Sequence, residues 1–475
     1  MNNLRKLKTS FAVVFSLTFG CSTPFLVPNP PGGIAPDMPA EAFKTEVDSA
    51  EDFISEEEII DFSVAFREDT PRDSQKISDS FEEEKTVSYR YPPIRVEKRP
   101  VRVMIRRHAR SKTIYTPSRA TIRYRGGSVA FRGRVHVQAL GDGSRISATV
   151  DGETRQIPLP CTLSLSSLMQ FVEVGEDSYR GNLILLSEGR NSFSVVNVVG
   201  VEDYLRGVVP REIGRLGEPE MAAMKSQAVA ARTYVYVRMK ANRTRDFDVL
   251  STVADQVYGG ANDEYRYTDM AIRLTKDLVM AYGDEIIHAY YHSTCGGQTA
   301  NVHEVWAQHS PYPYLRSVSD LNSEGVAYCH FSRLFTWEES WNLRQLSTIL
   351  TNHSRDGRLT TPYSGAFRSI NVNQRFSCGR IKSASINSSG GNFLAGGDRI
   401  RFLLRRNNNQ QGILFSSNFT VKESDRNRLV VAGRGFGHGV GMCQVGAIGR
   451  SRAGYTFDRI LRAYYSGVQI RTAVE

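Results

Sequence analysis

Residues 195–236 read VVNVVGVEDYLRGVVPREIGRLGEPEMAAMKSQAVAARTYVY, and the rest of the chain is organised around them. An apolar run typical of a strand leads through a short acidic turn to Glu212, which follows Pro210 and Arg211. After a glycine-rich connection, apolar side chains at three- and four-residue spacing predict a helix with one apolar face: Met221, Met224, Ala228, Ala231 and Val235. A lone glutamate between a strand and a helix is a candidate for acid–base chemistry.

The N-terminus has the features of an export signal. Basic residues precede a short apolar run, residues 11–19, that is too short to cross a membrane. Residues 1–21 are therefore predicted to be a signal peptide. The residues around Cys21 resemble a bacterial lipobox, which predicts a lipid anchor on this cysteine, and ordinary secretion with a chance cysteine is the alternative. The sequence thus predicts an exported, lipid-anchored protein of the bacterial cell envelope or periplasm.

The two regions that follow have opposite charge, within a chain of 475 residues and formal charge +10. Residues 22–88 are rich in acidic residues with little periodicity, which predicts a disordered tether. Residues 89–190 are basic and alternate like strands with one cationic face. Such a face suits nucleic acid, anionic lipid or an anionic polymer. Export excludes nucleic acid as a routine partner, and a plain solvated sheet face is an equal alternative.

Residues 191–475 are predicted to form the main functional core. A strand at 286–291 leads into HSTCGGQT, residues 292–299, and a second glycine-rich motif, GRGFGHGVGMCQVGA, occupies residues 433–447. Between them we expect a helix at 336–350 and a β subdomain at about 365–432. The predicted fold class is α+β, with a strand-rich region, a helix-containing core and a cleft between the core and the β subdomain.

Several separated motifs together resemble one family. VEDYLRGVVPREI followed by KSQAVAARTY, then HSTCGGQT and GRGFGHGVGMCQVGA, resemble the stage II sporulation protein D family, which includes modifiers of cell-wall amidases. The resemblance covers about residues 90–475. It implies a lytic transglycosylase that acts on peptidoglycan glycan strands, especially strands stripped of stem peptides. Glu212 matches the family's catalytic glutamate. Ile213-Gly214 after it and Phe436 in the last motif depart from the common pattern.

The implied reaction needs only one carboxyl group on the enzyme. The 6-hydroxyl of N-acetylmuramic acid attacks its own anomeric carbon, so Glu212 first acts as the acid and then as the base. The acid step requires a raised pKa, and the local candidates for an apolar wall are Val208, Val209 and Ile213. An exposed glutamate at a helix start is the alternative for Glu212.

Further side chains are predicted around this carboxyl group. We expect substrate contacts from Gln227, Arg232, His438 and Gln444. Gln227 and Arg232 are equally suited to bracing the segment that carries Glu212.

The cysteines allow two interpretations. Six are present, and disulfides are the ordinary expectation in an exported protein. The family resemblance implies zinc in some members, and a closed N/S site is the alternative, with this set of ligands: His292, Cys295, Cys329 and Cys443. Such a closed site would be structural.

The sequence therefore supports three functional hypotheses. The first is a lytic transglycosylase that cleaves the bond between N-acetylmuramic acid and N-acetylglucosamine and leaves 1,6-anhydro ends. The second is a non-catalytic glycan-binding wall protein that stimulates a cell-wall amidase. The third assigns the function to the basic region, which would bind an anionic polymer of the envelope.

Overall fold

The computed structural model describes residues 91–475, apart from 168–169, 355–358, 360, 408–411 and 425–426. The predicted signal peptide at 1–21, its lipidation site Cys21 and the predicted tether at 22–88 lie outside the described residues. The described chain is a mixture of helices and strands, which confirms the predicted α+β class.

The largest sheet among the described residues has eleven strands and includes every described strand between residues 101 and 199. Its strands are β2 (Val101–Ala109), β3 (Ser111–Tyr124), β4 (Gly127–Leu140), β5 (Arg145–Val150), β6 (Glu153–Pro158), β7 (Cys161–Leu165), β8 (Phe171–Val174), β9 (Asp177–Arg180), β10 (Asn182–Ser187), β11 (Phe193–Val199) and β12 (Val249–Leu250). Their order in the sheet is β12-β2-β11-β10-β7-β3-β4-β5-β6, and β8 and β9 extend it beside β3.

Four smaller sheets complete the described strands. One has the order β1-β23-β13-β14, with β1 (Ile94–Arg95), β13 (Leu278–Tyr282), β14 (Glu285–Ile286) and β23 (Gln469–Val474). A parallel pair joins β15 (Tyr291–His292) to β22 (Met442–Cys443). The other two have the orders β16-β21-β20 and β17-β18-β19, with β16 (Thr336–Asn342), β17 (Phe367–Arg375), β18 (Ile381–Ser388), β19 (Gly391–Gly396), β20 (Phe419–Ser424) and β21 (Arg428–Arg434).

The helices lie mainly after residue 200. They are α1 (Val201–Ile213), α2 (Met221–Ala241), α3 (Arg266–Leu274), α4 (Val302–Val305), α5 (Leu343–His353), α6 (Ile400–Leu403), α7 (Gln444–Arg452) and α8 (Phe457–Tyr464). Among the described residues, no helix combines the length and the apolar character that crossing a membrane requires.

One hydrophobic core joins the large sheet to the helices. The inward residues of β3, β7 and β10 pack in the same core as α1 and α2. The predicted boundary at residue 190 falls in the turn between β10 and β11, which pair from Asn182↔Val198 to Ser187↔Phe193. The basic region and the helical region therefore share a sheet and a core.

A second core has residues between 337 and 431, a range that overlaps the β subdomain predicted at about 365–432. Its first segment differs from expectation. Residues 336–350, predicted as one helix, form strand β16 to Asn342 and helix α5 from Leu343. Trp337 and Trp341 are buried in the strand portion, because alternate positions of β16 face this core. The helix begins where the Asn342 side chain accepts a hydrogen bond from the Arg344 N–H.

Candidate active site

Helix α1 positions Glu212 and corrects the expectation of an acidic turn. Glu202 and Asp203 occupy its first turn, where the helix dipole favours negative charge. Gly207 lets the helix approach another segment, because a Cβ there would lie 2.7 Å from the Gly260 carbonyl oxygen. The helix ends at Gly214, which has φ +90°. Glu212 is consequently in the last turn of a helix and not at a helix start.

The carboxyl group of Glu212 is held by three groups from different segments. The Val257 N–H donates to Oε1 at 2.8 Å. Gln444 Nε2 lies 3.4 Å from Oε2 and donates to the Glu212 backbone carbonyl at 2.8 Å. The Tyr291 hydroxyl also hydrogen-bonds to this carboxyl group. Tyr291 accepts from Gln256 Nε2 at 2.9 Å, so its own proton is free to point at the carboxylate.

Burial raises the pKa of Glu212 from 4.5 to about 7, and the three hydrogen bonds offset this only in part. The predicted apolar wall is present, since Val208, Val209 and Ile213 are all buried. The position at the C-terminal end of α1 also disfavours the ionised form, because the helix dipole is negative there. A carboxyl group with this pKa exchanges a proton readily near neutral pH.

Gln227 and Gln444 lie beside Glu212. Gln444 Nε2 is 3.4 Å from Gln227 Oε1, and both side chains are buried. The Gln227 Nε2 atom is buried without a hydrogen-bond partner among the described residues. An unpaired buried donor next to a carboxyl group is available to an acceptor on a bound molecule.

His438 is a neutral side chain that connects the two glycine-rich motifs. The Val440 N–H donates to Nδ1 at 3.0 Å, so Nε2 carries the proton and donates to the Tyr291 carbonyl at 3.0 Å. Burial lowers the pKa of His438 to about 3, which keeps the ring uncharged. His438 thereby fixes the backbone of Tyr291, whose hydroxyl reaches Glu212.

Arg232 does not reach this site. Its guanidinium is fully buried and makes two bonds of 2.7 Å to the Glu202 carboxylate. It also donates to the carbonyls of Ile272 and Leu278. Its contacts brace α1 against α2, α3 and β13. This geometry fits the bracing alternative for Arg232, and its predicted contact with substrate stays a prediction.

The two glycine-rich motifs lie side by side. β15 pairs with β22 through Tyr291↔Met442 and His292↔Cys443. Gly441 has φ +71°, and a Cβ there would lie 2.0 Å from the Tyr290 carbonyl oxygen. Only glycine allows this approach. The pairing brings Tyr291 and Gln444 within hydrogen-bonding reach of the same carboxyl group, that of Glu212.

Three of the four predicted metal ligands are brought together, with one replacement. The donor atoms of Cys295, Asp320, Cys329 and Cys443 lie within 4.8 Å of one another, and all four residues are buried. His292 is outside this group: its Nδ1 contacts the Val440 carbonyl at 3.2 Å, and its Nε2 has no partner among the described residues. Asp320 takes the position that was expected for His292.

The chemistry of this donor set, three thiols and one carboxylate, and two of its donor–donor distances are compatible with a zinc site. Zinc–sulfur bonds of about 2.3 Å place two sulfurs about 3.8 Å apart. The Sγ atoms of Cys295 and Cys329 are 3.6 Å apart, and Cys295 Sγ lies 3.3 Å from Asp320 Oδ2. The other oxygen, Oδ1, accepts from Arg450 at 3.0 Å and from Tyr464 at 2.7 Å, which fixes the carboxylate and leaves Oδ2 facing the sulfurs.

Comparisons with known proteins give the family. The family model described as stage II sporulation protein (SpoIID) matches residues 189–282, the segment that contains α1 and α2. An uncharacterized protein of Brachyspira hyodysenteriae is 30% identical over 293 residues, which cover 62% of this chain and 72% of that protein. The chain belongs to the SpoIID family. A domain of unknown function (DUF8618) matches residues 322–441, the part of this SpoIID protein that contains the second core.

Two named relatives come from Bacillus subtilis. One is "Stage II sporulation protein D", 29% identical over 314 residues, which cover 63% of this chain and 82% of the relative. The other is "Amidase enhancer", 29% identical over 301 residues, which cover 56% of this chain and 40% of the relative. More than half of the SpoIID chain is thus similar to proteins with two different names.

Sequence reasoning missed three residues of this SpoIID site. Tyr291 directly precedes HSTCGGQT, and this position was a usable signal, although the strand predicted at 286–291 is interrupted: residues 287–290 are not a strand, and Tyr291 begins β15. Val257 contributes only its backbone N–H, which no side-chain pattern can indicate. Asp320 lies nine positions before Cys329, but no recognised ligand spacing points to it.

Proposed function

We propose that this protein is a lytic transglycosylase that cleaves peptidoglycan glycan strands. The observation that supports it best is a single carboxyl group, Glu212, whose pKa of about 7 suits both acid and base roles. None of the groups that bond to its carboxylate is a second carboxylate. A hydrolytic glycosidase normally uses two. A substrate that supplies its own nucleophile removes this requirement.

The proposed reaction uses one proton and no water. Glu212 donates its proton to the glycosidic oxygen, and the bond from that oxygen to the anomeric carbon of N-acetylmuramic acid breaks. The 6-hydroxyl oxygen of the same sugar bonds to that carbon, and the Glu212 carboxylate takes the hydroxyl proton. The products are a 1,6-anhydro end and a free 4-hydroxyl on N-acetylglucosamine. Tyr291 and the Val257 N–H stabilise the carboxylate between the two proton transfers.

The test uses glycan strands from which an amidase has removed the stem peptides. We expect the wild type to release 1,6-anhydro products, detected by mass spectrometry, and Glu212→Gln to be slower by about 10²–10⁴-fold, the usual contribution of a general acid. Glu218→Gln, an exposed glutamate in the same segment, is the matched control and should retain activity. Absence of anhydro products from the wild type, or equal rates for Glu212→Gln, would reject the proposal.

The relative named "Amidase enhancer" supports a second candidate function, stimulation of a cell-wall amidase by glycan binding. In that case Glu212→Gln would keep the full effect on amidase turnover. A purified amidase assayed with sacculi and either protein distinguishes the two functions. Loss of stimulation in Glu212→Gln, together with loss of anhydro products, would leave only the first.

We also propose that Cys295, Asp320, Cys329 and Cys443 hold a structural zinc ion, which would join three chain segments. Metal analysis should find one zinc per chain and no disulfide. Asp320→Asn should lose zinc more readily than the wild type, whereas His292→Gln should retain it. A chain without zinc and without free thiols would favour the disulfide alternative, and loss of zinc from His292→Gln alone would restore the original set of ligands.

Export and anchoring complete the proposal. The relatives named for sporulation and amidase enhancement support a place in the cell envelope. We propose that the signal peptide is cleaved between Gly20 and Cys21 and that Cys21, the new N-terminal residue, carries the lipid. Fractionation of cells that express the wild type and Cys21→Ser tests this, because only the wild type should sediment with membranes. Equal release of both proteins would reject the anchor and leave secretion.

A further inference from the structure

The outward face of the large sheet carries an unusual set of arginines. Register fixes which residues share a face: Ile122, Leu163, Leu183 and Asn197 are successive partners that point into the core. The adjacent residue in each strand points to the opposite side of the sheet. Arg123, Thr162, Ile184 and Val196 are successive partners on that side. Strand alternation places further arginines of β3 and β4 on this outward side.

We call four exposed arginines the arginine face: Arg119, Arg123, Arg132 and Arg134. None has a carboxylate within 4 Å among the described residues. Arg132 donates to the Pro117 carbonyl, and Arg134 lies over the ring of its cross-strand partner Tyr115. Arg119 and Arg132 line one open depression of about 560 Å³.

Other arginines in the same region differ from the arginine face because they form ion pairs with carboxylates. Arg99 and Arg102 both bind Asp248, and Arg106 binds Asp177. The outward positions of β3 to β7 carry no carboxylate, and Glu173 on β8, opposite Tyr115, is the nearest one in register. Carboxylates therefore neutralise Arg99, Arg102 and Arg106, whereas the positive charge of the arginine face is not neutralised by any described residue. An uncompensated cationic patch attracts a polyanion.

The same chain contains such a polyanion. Residues 37–84 hold 17 Asp and Glu against four Lys and Arg, a formal charge of −13. This acidic segment ends seven residues before Tyr91, where the described chain begins. Its 48 residues reach as far as about 160 Å when extended. A tethered segment meets its partner surface at an effective concentration on the order of 1 mM.

We propose that the acidic segment, residues 37–84, docks on the arginine face. The contact is electrostatic and excludes outside polyanions, which must displace a segment already attached to the molecule. The arginine face is on the sheet side opposite to the core that contains α1, so docking leaves Glu212 uncovered. The contact weakens with salt, because the screening length falls from about 10 Å at 0.1 M to about 3 Å at 1 M.

The first experiment measures binding of polyphosphate to the full chain at low salt. A variant with glutamine at six acidic positions should bind about tenfold tighter than the wild type: Glu56, Glu57, Glu58, Glu82, Glu83 and Glu84. The matched control changes six exposed glutamates elsewhere to glutamine: Glu218, Glu285, Glu324, Glu338, Glu423 and Glu475. Equal tightening in both variants, or in neither, would overturn the proposal. Tight polyphosphate binding by the wild type itself would assign the arginine face to an outside polyanion.

The second experiment locates the contact. Arg132→Lys and Arg134→Lys keep the charge and supply amines for zero-length carbodiimide coupling to carboxylates. We expect coupled peptides that join each new amine to residues 37–84 at 50 mM salt and not at 1 M salt. The control is Arg368→Lys on the exposed surface of the second core, which should not couple to this segment. Coupling from Arg368→Lys but not from Arg132→Lys would contradict the assigned surface.

Discussion

Glu212 and Gln444 are 232 positions apart in the chain, and the Gln444 side chain donates to the Glu212 backbone carbonyl at 2.8 Å. The same amide nitrogen reaches the Glu212 carboxylate and the Gln227 side-chain oxygen, each at 3.4 Å. One side chain thus ties together the end of α1, the middle of α2 and the start of α7. The shape of the site depends on this junction.

Gln444→Leu should weaken that junction in two measurable ways. The buried carbonyl of Glu212 loses its donor, which costs about 1–3 kcal/mol in the free energy of unfolding. The carboxylate also loses a donor that favours its ionised form, so the pKa of Glu212 should rise above about 7. Chemical denaturation measures the first effect, and the alkaline limit of the activity profile measures the second. Gln298→Leu, at an exposed position bonded to Ser317, should change neither.

Glu212→Gln should make the protein more stable at high pH. The folded-state pKa is raised, so at a pH between 4.5 and about 7 the folded state holds a proton that the unfolded state has released. Wild-type stability therefore falls across this window and levels off above it. The shift corresponds to about 3 kcal/mol at 1.36 kcal/mol per unit. Denaturation at pH 4 and pH 8 checks this: the gain should be near zero at the lower pH and full at the higher. A constant difference would contradict the raised pKa.

Arg232→Met should destabilise the protein strongly. The substitution leaves the Glu202 carboxylate without its two bonds and removes the donors to Ile272 and Leu278. The Glu202 side chain is 30% exposed, so its charge is partly solvated, and we expect a loss of about 1–3 kcal/mol in the free energy of unfolding. Thermal and chemical denaturation provide the measurement. Arg273→Met, an exposed arginine on α3, should stay within about 0.5 kcal/mol of the wild type. If stability were unchanged and glycan binding were weakened, Arg232 would instead be a substrate-binding residue.

Gly441→Ala should disrupt the pairing of β15 with β22. The added Cβ meets the Tyr290 carbonyl at 2.0 Å in a backbone conformation that already disfavours alanine. Gly454→Ala has a similar φ of +81° with nothing within 4 Å, so it isolates the conformational cost of about 1–2 kcal/mol. The cost of Gly441→Ala should exceed that of the control by more than 1 kcal/mol. Equal losses of stability in Gly441→Ala and Gly454→Ala would mean that β15 and β22 can move apart to make room for the added Cβ.

The sequence predicts the local chemistry of the site better than its geometry. Glu212 and the two glycine-rich motifs can be recognised from the sequence because each lies in a distinctive local pattern. Helix α1 was missed because Gly207 and Pro210 oppose a helix locally, while packing of Gly207 against Tyr258 and Gly260 requires one. Asp320 was missed for a related reason: its role depends on three loops meeting in space.

Helix α2 shows the same limit. An apolar stripe was expected, and Met224, Ala228, Ala231 and Val235 are indeed fully buried. Polar residues beside the stripe are buried as well, including Ser226, Gln227 and Arg232. The spacing of apolar residues predicts only which apolar side chains are buried. The polar side chains are buried because each has a specific bonding partner or a role in the site.

The second core departs from the rest of the chain and returns to it at a single place. The Gly435 N–H donates to the Phe335 carbonyl at 3.1 Å, and Thr336 pairs with Arg434. A unit joined to its host through two adjacent chain ends can be exchanged or resized without stretching the host. Evolution can therefore treat residues 336–434 as a replaceable cassette. An exchange of this cassette would leave the groups bonded to the Glu212 carboxyl group in place, because Val257, Tyr291 and Gln444 all lie outside residues 336–434.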